Sequence, residues 1–95
     1  MSAQPSFPTA SLDEATELRM RVGEALCSVV ASLAMAGRIR HARRAMAAVR
    51  GIVDDTARIA GFSAEDSAAA QELRTCLDEL QHRARNAETV LKLLE

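Results

Sequence analysis

The chain has 95 residues, enough for one small domain, and its net charge of −1 at pH 7 argues against a dedicated binder of nucleic acid or another polyanion. It has no Trp or Tyr and is rich in Ala, so we expect a core of Leu, Val, Ile and Met that gives modest stability. The two cysteines, Cys27 and Cys76, lack the spacing of a metal site and favour a reducing, cytoplasmic location.

The sequence divides into a predicted flexible N-terminal tail, 1–10, and a single helical domain, 11–95. Pro5 and Pro8 interrupt the tail, which has neither the basic nor the apolar region of a signal peptide. Eleven of the twelve basic residues are Arg, a bias that indicates a GC-rich, bacterial genome.

The first predicted helix covers residues 12–36. Ser11 and Glu14 have the spacing of a capping box, and Gly37 provides the left-handed residue that ends many helices. We expect the main apolar stripe to face the core: Ala15, Leu18, Val22, Ala25, Val29, Leu33 and Ala36. A second row of small residues suits a close helix–helix contact: Met20, Gly23, Cys27, Ala31 and Ala34.

The segment 25–37 carries no charge, and apolar or small residues cover every side of the predicted helix there. Such a helix must be buried on all sides, either by its own chain or by a partner. At 13 residues the segment is too short to span a bilayer.

The second predicted helix covers 39–60, and its apolar stripe keeps its phase across Gly51. That stripe consists of Ile39, Ala42, Met46, Val49, Val53, Ala57 and Ala60. Because this stripe and the first are out of phase, we expect a turn at Gly37, although one bent helix is the alternative.

The third predicted helix covers 64–94, with Ser63 and Asp66 as its cap. Its stripe has the 3–4 alternation of a coiled-coil heptad: Ala70, Leu73, Leu77, Leu80, Ala84, Ala87, Leu91 and Leu94. No strand signal occurs in the sequence. The fold class is therefore all-α: a three-helix antiparallel bundle with coiled-coil-like packing, in which the C-terminal end of the third helix overhangs the others by roughly 10 Å.

The sequence shows no constellation of catalytic residues. Asp54 and Asp55 are adjacent and point about 100° apart on a helix, and neither His41 nor His82 is followed by an acid three or four residues later. No Gly-rich phosphate-binding motif is present. We therefore expect a protein that is not an enzyme and uses no cofactor or metal.

The densest charge cluster is the segment 38–50, with five arginines, one histidine and no acid. Guanidinium groups match phosphate oxygens, so a phosphate-binding face would use Arg40, Arg43, Arg44 and Arg50. The alternative is a solvated face neutralised in part by residues 54–95, which hold nine acids against five bases. We favour the second interpretation because no element is suited to reading bases.

The segment Leu26–Val49 resembles one tetratricopeptide-like helical hairpin. The residues that carry the resemblance are Leu26, Val29, Val30, Leu33, Gly37 and Ala42. It departs from the family pattern in lacking the aromatic residues, in having Val49 where a small residue is common, and in having Asp54 near the usual proline. Small proteins of this kind include secretion chaperones and adaptors, so the resemblance implies capture of a partner's amphipathic helix.

These observations lead to one functional hypothesis and two alternatives. The first is a non-enzymatic adaptor or chaperone-like module that binds a partner's apolar helix through the first helix and the C-terminal end of the third. The residues predicted to bind are Val30, Leu33, Met35, Leu91, Leu93 and Leu94. The alternatives are a self-assembling homo-oligomer that uses the same surface and a nucleic-acid-binding regulator that uses the arginine face.

Overall fold

The structure, a computed structural model, describes residues 14–62 and 67–95, which form three α-helices: α1 (Glu14–Met35), α2 (Ile39–Phe62) and α3 (Ala68–Leu94). Each helix packs against both of the others, and no strand occurs in the described ranges. The prediction of an all-α three-helix bundle is confirmed. The predicted tail at 1–10 and the predicted caps at Ser11 and at Ser63 with Asp66 lie outside the described residues.

A tight turn at Gly37 separates α1 from α2, as the phase of the two apolar stripes predicts. Gly37 has a φ of 81°, a left-handed conformation that costs glycine little because it has no Cβ. Its N–H donates to the carbonyl of Ala34 at 3.0 Å, and the N–H of Arg38 donates to the carbonyl of Leu33 at 2.8 Å. This pair of hydrogen bonds is a Schellman motif, which satisfies the last carbonyls of α1 and reverses the chain.

Two ion pairs between exposed side chains show that α3 runs antiparallel to α2. The Arg43 side chain donates to the Glu95 carboxylate at 2.9 Å, and Arg50 pairs with Glu88. Because Glu95 lies beside the second turn of α2, the C-terminal end of α3 does not project beyond its neighbours. The predicted overhang of about 10 Å at that end is therefore wrong; it rested on helix lengths alone, without the register between the helices.

The start of α3 is set by Ser67. Its Oγ accepts a hydrogen bond from the backbone N–H of Ala70 at 3.0 Å, the geometry of a serine N-cap. The helix therefore begins at Ala68, four residues after the predicted start at 64.

The core is built mainly by the predicted stripes of α2 and α3. The side chains of α2 that are buried are those of Ala42, Met46, Val49 and Thr56. Those of α3 follow the heptad: Ala70, Leu73, Leu77, Leu80, Ala84, Ala87 and Leu91. Only the last member of the predicted α3 stripe, Leu94, is exposed, since it lies in the final turn of the helix.

For α1, the prediction that the main apolar stripe faces the core is wrong, whereas the second row does make the close helix–helix contact predicted for it. The buried residues of α1 are Thr16, Met20, Gly23, Cys27, Val30 and Ala34. Close packing explains this choice, because a Cβ at Gly23 would lie only 3.2 Å from side-chain carbons of both Ile52 and Leu80. There is almost no room for a side chain at position 23, which favours burial of the face that carries Gly23 over burial of the larger apolar stripe.

Candidate interaction surfaces

One end of the bundle carries three exposed apolar side chains, those of Met35, Leu93 and Leu94, which we call the tip. Because α1 and α3 each run antiparallel to α2, their C-terminal ends meet at the same end of the molecule. The exposed fraction is 74% for Met35 and 79% for Leu93, and Leu94 is about half exposed. Covering large apolar side chains with this much exposure by another surface lowers the free energy, because it removes apolar area from water.

The six residues predicted to bind a partner are divided by the structure into three groups. Met35, Leu93 and Leu94 form the tip, and Leu33 is partly buried against the core. Val30 is fully buried, with an exposed fraction of 0%, and Leu91 has 4%. Val30 and Leu91 therefore support the bundle from inside and are not accessible to a partner.

Basic residues are frequent in the chain segments at this end of the bundle. The segments 35–44 and 92–95 contain one acid, Glu95, which is paired with Arg43. The same segments contain five cationic residues, and the side chains are exposed: Arg38, Arg40, Arg43, Arg44 and Lys92. This end of the bundle therefore carries exposed apolar side chains and an excess of positive charge.

The proposed phosphate-binding arginines do not form one uncommitted stripe. Arg43 and Arg50 are each paired with a carboxylate of α3, Glu95 and Glu88. Arg40 and Arg44 are exposed at the tip end of α2. The acids of the C-terminal half thus neutralise part of the arginine face within the chain.

A second apolar surface runs along α1 on the side opposite its buried face, and we call it the outer face. It consists of Ala15, Leu18, Val22, Ala25 and Val29, all of them exposed, with Leu18 at 64%. This surface is missing from the predicted binding residues. Its apolar pattern is visible in the sequence, however, because all five residues belong to the apolar stripe that was expected to face the core.

Burial raises the pKa of both thiols. For Cys27 the main cause is burial, which Arg83 partly opposes, and for Cys76 burial is reinforced by the charge of Glu72. A raised pKa lowers the thiolate fraction at neutral pH, so neither side chain is activated as a nucleophile.

Among the residues that the structure describes, no group of three or more His, Cys, Asp or Glu side chains is placed to hold a metal ion. Within the same ranges, none of the helices combines the length and the apolar character needed to cross a membrane.

Comparison with known proteins gives no relative from which a function could be transferred. No protein-family model matches the chain, and neither the curated proteins nor the solved structures include a detectable match. Any functional conclusion therefore rests on the tip and the outer face themselves.

Proposed function

We propose that this chain is a small protein-interaction module, adaptor- or chaperone-like, that binds an amphipathic helix of another protein at its tip. The observation that carries the proposal is the exposure of Met35 and Leu93 at the end of the bundle where the chain also carries an excess of positive charge. The resemblance of Leu26–Val49 to a tetratricopeptide-like hairpin supports the same class of function.

The chemistry of the tip defines the helix that it fits. Met35, Leu93 and Leu94 offer an apolar area that suits Leu, Ile or Met side chains spaced three and four apart on a partner helix. The flexible thioether of Met35 adapts to different apolar side chains. Arg38, Arg40 and Arg44, which are exposed at the same end of the bundle, favour a helix that also carries Glu or Asp, because opposite charges steer association.

Nucleic acid fits the tip less well than a helix does. Phosphate binding draws on cationic side chains, and two of the candidate arginines, Arg43 and Arg50, already pair with carboxylates. The exposed leucines of the tip add nothing to phosphate recognition, whereas they add affinity for an apolar helix face.

A pair of synthetic peptides tests the proposal. One forms an amphipathic helix with Leu on one face and Glu beside it, and the other has Lys in place of every Glu. Binding to the full chain is measured by fluorescence anisotropy. We expect the Glu peptide to bind at least about tenfold more tightly at low salt, and we expect added salt to reduce the difference.

Two variants locate the binding site. Leu93→Asp places a charge at the tip and should weaken binding of the Glu peptide at least about tenfold. The matched control, Leu18→Asp, places the same charge on the outer face and should leave the affinity unchanged. Equal affinity of the native chain and Leu93→Asp would contradict the proposal, as would preference for the Lys peptide. Displacement of the peptide by duplex DNA at low concentration would point to nucleic acid instead.

A further inference from the structure

The outer face of α1 has the pattern of a coiled-coil seam that no part of the described bundle covers. Its members are spaced by three and four residues: Ala15, Leu18, Val22, Ala25 and Val29. They cover two heptads, about 21 Å of helix. The buried residues of α1 lie on the opposite side, so a second helix could pack on the outer face without disturbing the core.

The heptad assignment of this face favours a particular geometry. Val22 and Val29 occupy the a positions, together with Ala15, while Leu18 and Ala25 occupy the d positions. β-Branched residues at a combined with Leu at d favour a two-stranded parallel coiled coil. The residues of the outer face therefore match a dimer better than a larger assembly.

The charges beside the seam are complementary to those of an identical helix in parallel orientation. Glu14 occupies a g position and Arg19 the e position of the following heptad. In a parallel pair these two positions of different helices are neighbours, so the symmetry gives two Glu14–Arg19 pairs. Arg21, the other charged g residue, is already bonded to Glu17 at 3.0 Å and would meet Leu26 of the second helix, without a like charge.

An antiparallel pairing lacks this complementarity. It places e positions next to e positions and g next to g. In the register that pairs Leu18 with Val29, Arg19 meets Leu26 and Glu14 meets Met35 of the other helix. In the register that pairs Leu18 with Val22, two copies of Arg19 meet. Both cases leave the opposite charges of Glu14 and Arg19 apart.

We infer that the outer face of α1 binds the same face of a second copy of this chain, in a parallel α1–α1 pair. This dimer uses a surface separate from the tip, so it leaves Met35, Leu93 and Leu94 of both copies available. Since the seam covers only two heptads, the interface is at the small end of the range for specific complexes, and we expect dissociation constants in the micromolar range.

Sedimentation equilibrium of the full chain, at concentrations from 1 µM to 500 µM (about three decades), tests the inference. The native chain should pass from monomer to dimer. Leu18→Asp should raise the dissociation constant at least about tenfold, because two desolvated carboxylates would meet in the seam. Leu93→Asp, at the tip, should leave it unchanged. Circular dichroism confirms that each variant keeps its helix content.

Charge reversal tests the parallel orientation. Glu14→Arg or Arg19→Glu alone should weaken the dimer several-fold, and the double variant should restore it. A chain that stays monomeric throughout the range, or a dimer that tolerates Leu18→Asp, would overturn the inference. If Leu18→Asp abolishes the dimer but neither charge reversal weakens it, the parallel arrangement is wrong. Peptide binding at the tip is measured separately, so failure of either proposal is distinguishable from failure of the other.

Discussion

Thr56 is the one buried side chain in the described ranges whose polar atom lacks a hydrogen-bond partner. It lies on α2 with an exposed fraction of 0%. The predicted stripe contained its neighbour Ala57, which is exposed. A buried hydroxyl without a partner costs free energy, because the water that solvated it in the unfolded chain is not replaced. Thr56 therefore lowers the stability of the bundle while its methyl group fills the core.

Thr56→Val should raise the free energy of unfolding by about 1 kcal/mol, because a methyl group of similar size replaces the unsatisfied hydroxyl. Urea unfolding followed by circular dichroism measures the change. Thr89→Val is the matched control: Thr89 is exposed, and its hydroxyl donates to the carbonyl of Arg85 at 2.9 Å. The control should change stability by less than about 0.5 kcal/mol, and a loss of stability in Thr56→Val would contradict this account.

At the level of the helices, the sequence predicts α2 and α3 well. On these helices one face is clearly more apolar than the rest, so the side chains buried in the structure are those predicted. They include Met46 and Val49 on α2 and Leu73, Leu77, Leu80 and Leu91 on α3. The turn at Gly37 is also predictable, since the phase of the stripes changes there.

The orientation of α1 could not be predicted in the same way. Its apolar residues occupy both faces, and a stripe with Leu18, Val22 and Val29 contains more apolar area than the row with Gly23 and Ala34. The decisive quantity is the space beside Gly23, where a Cβ would lie only 3.2 Å from side-chain carbons of Ile52 and Leu80 on the neighbouring helices. The candidate tip could be predicted in part, because exposure of Leu93 follows from its position off the α3 heptad, while burial of Leu91 follows from its position on it.

Two glycine substitutions separate backbone strain from helix propensity. Gly37→Ala should lower stability by about 1 kcal/mol, because the φ of 81° is unfavourable for a residue with a Cβ although the space is open. Gly51→Ala should raise stability by about 1 kcal/mol, because Gly51 lies exposed within α2 and a Cβ there meets nothing. Thermal unfolding compares the two variants, and changes of the same sign would contradict the assigned turn and helix.

For the molecule as a whole, the main consequence of this packing is that some large apolar side chains stay exposed. The helices approach closely through Gly23, Ala34 and Ala42, so the bundle closes around a narrow core. The larger side chains that do not fit remain at two places, the outer face of α1 and the tip. A small domain of this kind gains stability from association, and both proposed interactions cover apolar area that the single chain leaves in water.

The unfolding of two α1 variants tests the orientation of α1, which buries the face with Gly23 and Val30 and exposes the stripe with Leu18 and Val22. In urea unfolding followed by circular dichroism, Leu18→Asp should keep the native helix content and a cooperative transition, because Leu18 is exposed. Val30→Asp should be unfolded or destabilised by at least about 3 kcal/mol, because it buries an unpaired charge. If Leu18→Asp unfolds the chain while Val30→Asp leaves it folded, α1 faces the other way and both proposed surfaces lose their basis.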